Sequence, residues 1–183
     1  MQSIAVLVPL KGFHLAKSRL RRGGVENVDD LTRSLARTVL SACDPRPVFV
    51  ACESTEVALF ARECRAGVIL SHCTDLNGAV AHAYQQLGDD FERLIIAHGD
   101  LRDPRGLGSF TPREGVTIYA DSHGMGTNVL VLPTKLTFEF HFGSRSAQAH
   151  ENEAKRLGLA VYTDFESPWR FDIDEPGDLQ SKK

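Results

Sequence analysis

Short apolar runs alternate with amphipathic stretches through the first half of the chain, and this alternation constrains the fold more than any other feature. The apolar runs have the length of strands, and the stretches between them have the periodicity of helices. In chain order the segments are IAVLVP, LTRSLARTVLSA, PVFVAC, STEVALFARECRA, GVILSH, DLNGAVAHAYQQLG and RLIIAH. Such alternation is typical of a mostly parallel, twisted sheet with helices on both faces. The sequence therefore predicts a three-layer, Rossmann-like α/β fold.

The size of the chain fits one domain. It has 183 residues, and no Pro-, Gly- or Ser-rich linker divides it. We predict a single domain over residues 1–183, in which the second half adds strands at GVTIYA, NVLVLP and LAVYTDF and a helix at SAQAHENEAKRLG. No basic segment precedes the first apolar run, and no run approaches the roughly 20 residues that span a bilayer. We therefore expect a cytoplasmic protein that does not bind membranes.

Helix caps and thiols support an ordinary reduced, soluble domain. Polar residues stand where three helical patterns begin, so we predict N-caps at Asp30, at Ser54 or Thr55, and at Asp75. The four cysteines are irregularly spaced and form no CxxC pair. This spacing predicts reduced, mostly buried thiols and argues against structural zinc.

Three acidic residues suggest a metal site. Asp100 ends the apolar run LIIAHGDL, whereas Asp172 and Asp174 lie two apart in FDIDEPGDL, so they share one face of an extended segment. Carboxylate oxygens are ligands that Mg²⁺ prefers, and protein-bound Mg²⁺ often keeps positions for substrate phosphates. The trio predicts a magnesium site for phosphate chemistry. Each residue taken alone is equally compatible with a surface turn.

A basic segment follows the first predicted strand. Lys11, Lys17, Arg19, Arg21 and Arg22 lie in a stretch without acids, although the formal net charge of the chain is −3. Ligands of open α/β sheets bind at the carboxyl ends of the strands, where both this segment and Asp100 are expected. The segment predicts a site for a small polyanion, or else a solvated basic loop. The acidic overall balance argues against nucleic acid as a partner.

Further ligand-binding candidates lie in three turns. In HGMGTNVLVLP two glycines precede Thr127, and in FHFGSRSAQAH Gly143 and Ser146 stand just before a helix whose free amides favour an anion. In TDLNGAVAHAY, Asn77 could contact a base or ribose. Ordinary turns and caps are the alternative for all of them. No GxxxxGK[ST] loop or GxSxG elbow occurs, and no histidine has ligand spacing with another histidine or cysteine.

These motifs occur together in the order found in one nucleotidyltransferase family. They are PLK, AKSRL, DLNxA, a strand-ending GDL, GTN, FGxxSxxxH and DxDxPxDL, and they extend from Pro9 to Leu179. The chain resembles the guanylyltransferases that activate 2-phospho-L-lactate or phosphoenolpyruvate in the biosynthesis of coenzyme F-420. The resemblance implies a fold like that of molybdenum-cofactor guanylyltransferases and the nucleotide-diphospho-sugar transferases. It also implies GTP and a small phosphorylated acid as substrates.

The resemblance assigns roles to the candidate residues. Asp100, Asp172 and Asp174 would bind Mg²⁺ and act in catalysis together with Lys17. The nucleotide would be bound by Lys11, Lys17, Arg19 and Asn77, and the phosphorylated acid by Thr127, Gly143 and Ser146. A homodimer and delivery of the labile product to a downstream transferase are further expectations, for which the sequence contains no interaction motif.

Three departures from the family pattern leave the acceptor open. His98 stands where small residues are usual, Arg102 replaces a proline, and FGSRS replaces a pattern richer in glycine and proline. An added guanidinium at Arg102 or Arg145 could pair with an extra carboxylate or hydroxyl of the acceptor. A related enzyme that uses 3-phosphoglycerate or another nucleotide is therefore one alternative. A nucleotide-binding protein without activity is another.

Overall fold

The computed structural model of the protein describes residues 3–73 and 75–180. The strands are β1 (Ile4–Pro9), β2 (Val48–Cys52), β3 (Gly67–Leu70), β4 (Arg93–Ala97), β5 (Val116–Ala120), β6 (Thr127–Pro133) and β7 (Val161–Asp164). The α-helices are α1 (Ser18–Arg22), α2 (Val28–Ser41), α3 (Thr55–Glu63), α4 (Leu76–Leu87) and α5 (Ser146–Arg156). Short 3-10 turns cover Phe13–Leu15, Pro168–Arg170 and Pro176–Leu179.

All seven strands form one sheet in the order β3-β2-β1-β4-β6-β5-β7. Only β6 runs against its neighbours β4 and β5, while every other adjacent pair is parallel. The chain order jumps from β1 to β4 at the centre of the sheet, so the strand order reverses beside β1. Ligand sites of open α/β sheets lie at such a reversal. The predicted mostly parallel sheet is confirmed.

The sheet lies between two layers. One core contains Ala36 and Val39 of α2 and Val57 and Phe60 of α3. The other contains Val80 and Ala83 of α4, Ala154 of α5, and the phenylalanines of the segment that connects β6 to α5. Both faces of the sheet are therefore covered, as the continuous apolar composition of β1 and β4 requires. The three-layer arrangement is confirmed.

Two of the predicted N-caps are confirmed, and one is wrong. The side chains of Ser54 and Asp75 accept hydrogen bonds from the backbone N–H groups of Val57 (3.2 Å) and Gly78 (2.9 Å). Asp30, in contrast, lies inside the first turn of α2, which begins at Val28 after Asn27. The helix starts earlier because Val28 is buried in a small apolar cluster that the local pattern around Asp30 does not reveal.

The thiols and helices agree with the remaining structural expectations. All four cysteines are free; Cys43 and Cys52 are buried, and Cys64 and Cys73 are half-buried. Within the residues described, no helix combines the length and the apolar character that crossing a bilayer requires.

Candidate active site at the ends of β1 and β4

The carboxyl ends of β1 and β4 lie side by side and bring the basic segment next to Asp100. The two strands are parallel, with Leu7 paired to Ile96. A cavity of about 320 Å³ opens at this edge of the sheet. Its lining includes Lys11 and Lys17 from the segment after β1, His98 and Asp100 from the segment after β4, and Asp174. Two parts of the sequence that were predicted to meet at the sheet edge therefore do so.

Backbone pairing brings the C-terminal acidic segment to Asp100. Leu101 and Asp172 form an antiparallel bridge. In this bridge the N–H of Arg102 donates to the carbonyl of Phe171 (2.8 Å), and the N–H of Ile173 donates to the carbonyl of Asp100 (3.1 Å). This short ladder sets the spacing between Asp100 and the pair Asp172 and Asp174. Local sequence gives no signal for it, because about seventy residues separate the two segments.

Buried contacts hold the acidic segment on both sides. Ile173, between the two aspartates, is buried against Leu20 and Val28. Trp169 is buried among aromatic rings, and its carbonyl accepts a hydrogen bond from the side-chain amide of Asn128 (3.1 Å). With Ile173 directed into this apolar cluster, period-two alternation directs Asp172 and Asp174 away from it.

The three aspartates form a cluster that fits a divalent cation. One carboxylate oxygen from each of Asp100, Asp172 and Asp174 lies within 4.8 Å of the others. Oδ1 of Asp100 is buried and has no hydrogen-bond partner among the residues that the structure describes. Burial raises the pKa of Asp172, and the neighbouring charges of Asp100 and Asp174 raise it further. A cation bound by all three oxygens would satisfy the orphaned oxygen and offset the repulsion, so these residues fit Mg²⁺.

Lys17 bridges two members of this cluster. The side chain of Lys17 is only 5% exposed. Its ammonium group contacts Oδ2 of Asp100 and lies 2.7 Å from Oδ1 of Asp174. Burial lowers the pKa of Lys17, but the two carboxylates outweigh burial and the net pKa is raised. Burial likewise raises the pKa of Asp174, yet Lys17, helped by Arg19, brings it below its ordinary value. Lys17 and Asp174 are therefore both charged at neutral pH.

The other two predicted phosphate ligands are exposed, and Arg19 does not line the cavity. Lys11 is exposed and lines the cavity. Arg19 is mostly exposed, with a guanidinium nitrogen 3.7 Å from Asp174 and 3.7 Å from Glu175. Such solvent-exposed ion pairs are weak, so Arg19 can leave Asp174 and Glu175 and pair with a ligand phosphate at little cost in free energy.

Thr127 lies on the other side of Asp100 and is held by a buried histidine. The register Ala97 to Val129 and the bond from the His98 N–H to the Asn128 carbonyl (3.0 Å) place Thr127 next to Gly99 across the strands. Oγ1 of Thr127 is 3.1 Å from Nδ1 of His150.

The tautomer of His150 fixes the direction of this hydrogen bond. Nε2 of His150 accepts from the backbone N–H of His141 (3.0 Å), and burial lowers the pKa of His150 to about 3. The ring is therefore neutral with its proton on Nδ1, which donates to Thr127. The threonine hydroxyl is left to donate its own proton to another group.

Gly143 and Ser146 lie at the start of α5, near Thr127. The N–H of Ser146 donates to the carbonyl of Gly143 (3.3 Å), and the N–H of Ala147 donates to the carbonyl of Met125 (3.0 Å), which docks this helix end against the turn before β6. Gly143 has a φ of 135°, a conformation that favours glycine. Ser146 is the first residue of the helix and is buried. The structure thus brings the three predicted acceptor ligands into one region.

Asn77 and Arg102 make internal contacts. The side-chain amide of Asn77 donates to the carbonyl of Phe142 (3.1 Å) and accepts from its N–H (2.6 Å), so it ties α4 to the segment before α5. The guanidinium of Arg102 donates to the carbonyl of Asp178 (2.8 Å) and supports the C-terminal turn. Arg102 therefore has a structural partner through one guanidinium nitrogen, while its buried Nε has none among the described residues, so the acceptor contact considered for Arg102 stays a prediction. The predicted nucleoside contact of Asn77 stays a prediction.

The sequence pattern did not reveal the residues that support the site. Asp178 accepts hydrogen bonds through Oδ2 from the N–H groups of Asp174 (2.9 Å) and Glu175 (2.7 Å). Asn128, Trp169 and His150 act from other parts of the chain. The available signals were a polar residue near the start of an apolar strand, the only tryptophan, and the last residue of the FGxxSxxxH motif. None of these signals indicates which residue the side chain contacts.

Comparison with known proteins gives a consistent result. Residues 4–181 match the family described as "Guanylyl transferase CofC like". The chain is 28% identical to a phosphoenolpyruvate guanylyltransferase of Chloroflexus aurantiacus, with 97% of this chain and 93% of that protein covered. It is also 28% identical to a 2-phospho-L-lactate guanylyltransferase of a Methanocaldococcus species, with 95% and 78% covered. A nucleotidyl transferase structure from Methanothermobacter thermautotrophicus superimposes with a TM-score of 0.67 at 14% identity, covering 97% of this chain and 94% of that one.

Proposed function

Since the chain belongs to the family of CofC-like guanylyl transferases, we propose that it transfers GMP from GTP to 2-phospho-L-lactate or phosphoenolpyruvate in coenzyme F-420 biosynthesis. Relatives named for both acceptors cover nearly the whole chain. The observation that carries the proposal is the cluster of three carboxylates with Lys17, of which Asp100, Asp174 and Lys17 line one cavity beside β1 and β4.

In the proposed reaction a phosphate oxygen of the acceptor attacks the α-phosphorus of GTP. The new bond joins the two phosphates, and the bond between the α-phosphorus and the bridging oxygen to the β-phosphorus breaks, so pyrophosphate leaves with that electron pair. A phosphate monoester with a second pKa near 6 is largely ionised at neutral pH, so the nucleophile needs no strong base. This explains an active site with no histidine or serine triad.

The residues of the chain then act by position and charge. Lys17 and Lys11 line the cavity, and there they would stabilise the negative charge that passes to pyrophosphate. Because Nδ1 of His150 donates to Oγ1 of Thr127, the hydroxyl of Thr127 would donate its own proton to an oxygen of the phosphorylated acid. At the start of α5 the N–H groups of Ser146 and Ala147 already donate to the carbonyls of Gly143 and Met125, so the hydroxyl of Ser146 is the group that would contact the same phosphate.

Asp100, Asp172 and Asp174 would hold Mg²⁺. When bound, the ion supplies Lewis-acid neutralisation of phosphate oxygens. The ammonium of Lys17, which contacts Asp100 and Asp174 in the structure, would then be free to contact the nucleotide phosphates.

The proposal is tested by incubating the protein with GTP, Mg²⁺ and each of three acids: 2-phospho-L-lactate, phosphoenolpyruvate and 3-phosphoglycerate. We expect pyrophosphate release with one of the first two acids and a product whose mass equals that of the acid plus GMP less water. Substituting ATP, CTP or UTP for GTP tests the base preference. Turnover of 3-phosphoglycerate alone would favour the alternative acceptor, and the lack of any product would contradict transferase activity.

A matched pair of variants links the activity to the carboxylates. Asp174→Asn should lower kcat at least about 100-fold, because it removes a charge from the proposed metal site. Asp90→Asn changes an exposed residue that precedes the N-terminal end of β4, whereas the cavity lies at the other end of this strand. It should leave kcat unchanged. Equal activity of the two variants would rule out the assigned role of Asp174.

A further inference from the structure

His98 has a buried ring nitrogen that nothing in the described structure satisfies. The residue directly follows β4, and its Nε2 has no hydrogen-bond partner among the described residues although it is shielded from solvent. A polar atom buried without a partner is costly, and native proteins retain few of them. His98 also lines the cavity that holds Lys17 and Asp100. A ligand in this cavity is therefore a natural partner for Nε2.

Surrounding contacts fix the position of the His98 ring. Its backbone N–H is bonded to the Asn128 carbonyl, and its ring packs against that of Phe142 with centroids 5.6 Å apart. Phe142 is held in turn by the backbone bonds to Asn77 and by an edge contact with His150 at 4.8 Å. The imidazole is therefore part of a packed layer, and its neighbours fix its orientation beside the cavity.

The ring stands between two groups of ligand-binding residues. Asp100 lies two residues further along the chain, in the turn that follows β4, and both residues line the cavity. Thr127 and the start of α5 lie beyond Asn128 and Phe142 on the other side. A phosphorylated acid whose phosphate oxygen attacks the nucleotide would lie between these groups, with its carboxylate a few bonds from the phosphate.

We propose that Nε2 of His98 donates a hydrogen bond to the carboxylate of the acceptor and thereby helps to select phosphorylated acids over other phosphate monoesters. The inference rests on the proposed function and adds a specificity-determining residue to it. The proposed partners of the phosphate are Thr127, Ser146 and the lysines. His98 supplies a donor for the second anionic group of the same molecule.

The test compares His98→Ala and His98→Gln with the wild-type protein in steady-state kinetics. His98→Ala should raise KM for the acceptor acid roughly 10-fold to 100-fold, the usual effect of losing a hydrogen bond to a charged group, while KM for GTP stays unchanged. His98→Gln keeps an N–H donor and should recover part of the loss. His123→Ala, at an exposed turn, is the matched control and should behave like the wild type.

Binding by calorimetry separates this inference from the proposed function. Both are supported if the wild-type protein turns over a phosphorylated acid and His98→Ala binds that acid more weakly. A wild-type enzyme that is active, with His98→Ala showing the same acceptor KM, would overturn only the role of His98. If the wild type makes no product, weaker binding of the acid by His98→Ala still supports the contact. Equal binding, or no binding to either protein, contradicts it.

Discussion

At the scale of single residues, charge is concentrated where three carboxylates and one ammonium group, all from half-buried residues, lie close together. Asp172 has a raised pKa and Asp174 a lowered one, although they stand two apart on the same segment. The difference arises because Lys17 contacts Asp174, whereas the charges that act most strongly on Asp172 are those of Asp100 and Asp174, which His98 opposes. Such opposed shifts within one cleft are typical of functional sites.

His150 makes the folded protein sensitive to acid. Burial, reinforced by His141 and His98, lowers its pKa from 6.5 to about 3, and Glu153 opposes this shift only weakly. The unfolded chain takes up the proton first as the pH falls below 6.5. The contribution of His150 to stability is therefore complete above pH 6.5 and is lost progressively towards pH 3, at about 1.4 kcal/mol per pH unit in the middle of the window.

Urea unfolding at several pH values measures this effect. Between pH 6 and pH 4.5 the free energy of unfolding of the wild-type protein should fall more steeply than that of His150→Gln, which has no group to titrate there. His123→Gln, at an exposed turn, should follow the wild-type slope. Identical slopes for all three proteins would show that His150 is not buried in its neutral form.

At the scale of elements, the site is built from strand ends and from the turns that pack behind them. The segment with Asp172 and Asp174 belongs to no strand of the sheet, yet it is fixed by the bridge at Leu101 and by the apolar contact of Ile173. Its upstream end is held by Trp169, which Asn128 ties to the start of β6. One strand therefore supports both the acceptor region, through Thr127, and the acidic segment, through Asn128.

Asn128→Ala should disturb this support without touching the cavity. The substitution removes the bond to Trp169 and leaves a buried carbonyl unpaired, so we expect the free energy of unfolding to fall by about 1 to 3 kcal/mol. Metal affinity should fall as well, because the acidic segment loses an anchor. Asn152→Ala, on the exposed side of α5, should change stability by less than about 0.5 kcal/mol. Chemical denaturation of the two variants checks the difference.

At the scale of the whole molecule, the proposed metal joins parts of the chain that are distant in sequence. Asp100 belongs to the centre of the sheet, and Asp172 and Asp174 belong to the C-terminal segment. A ligand that binds only the folded form stabilises it according to its concentration relative to its Kd. Binding of Mg²⁺ should therefore stabilise the entire fold against unfolding.

Thermal unfolding with and without Mg²⁺ tests the site independently of catalysis. At a concentration of 100 times its Kd, the ion should add about 2.7 kcal/mol to the stability of the wild-type protein and raise its Tm. Asp174→Asn should show a much smaller response, while Asp90→Asn should respond like the wild type. A Tm of the wild-type protein that does not change with Mg²⁺ would contradict a metal site at these carboxylates.

Local pattern was enough to predict the class of fold and the edge of the sheet that carries the site. The apolar runs of β1 and β4 and the helical patterns between them report on burial, which acts on each segment separately. The order of the motifs was also visible, since each motif is contiguous. The start of α2 was mispredicted at Asp30 because the burial of Val28 depends on Leu20 and Ile173, which are remote from the local pattern.

The sequence by itself determined which chemical groups are available: aspartates at a strand end and in an extended segment, and cations after the first strand. Only the tertiary structure decided their relations. It paired Leu101 with Asp172, set the ammonium of Lys17 between two carboxylates, gave Asn77 and Arg102 internal partners, and left Nε2 of His98 buried and unpaired. The physical reason is that hydrogen bonds and charge interactions act over a few ångströms in space, and sequence separation does not measure that distance.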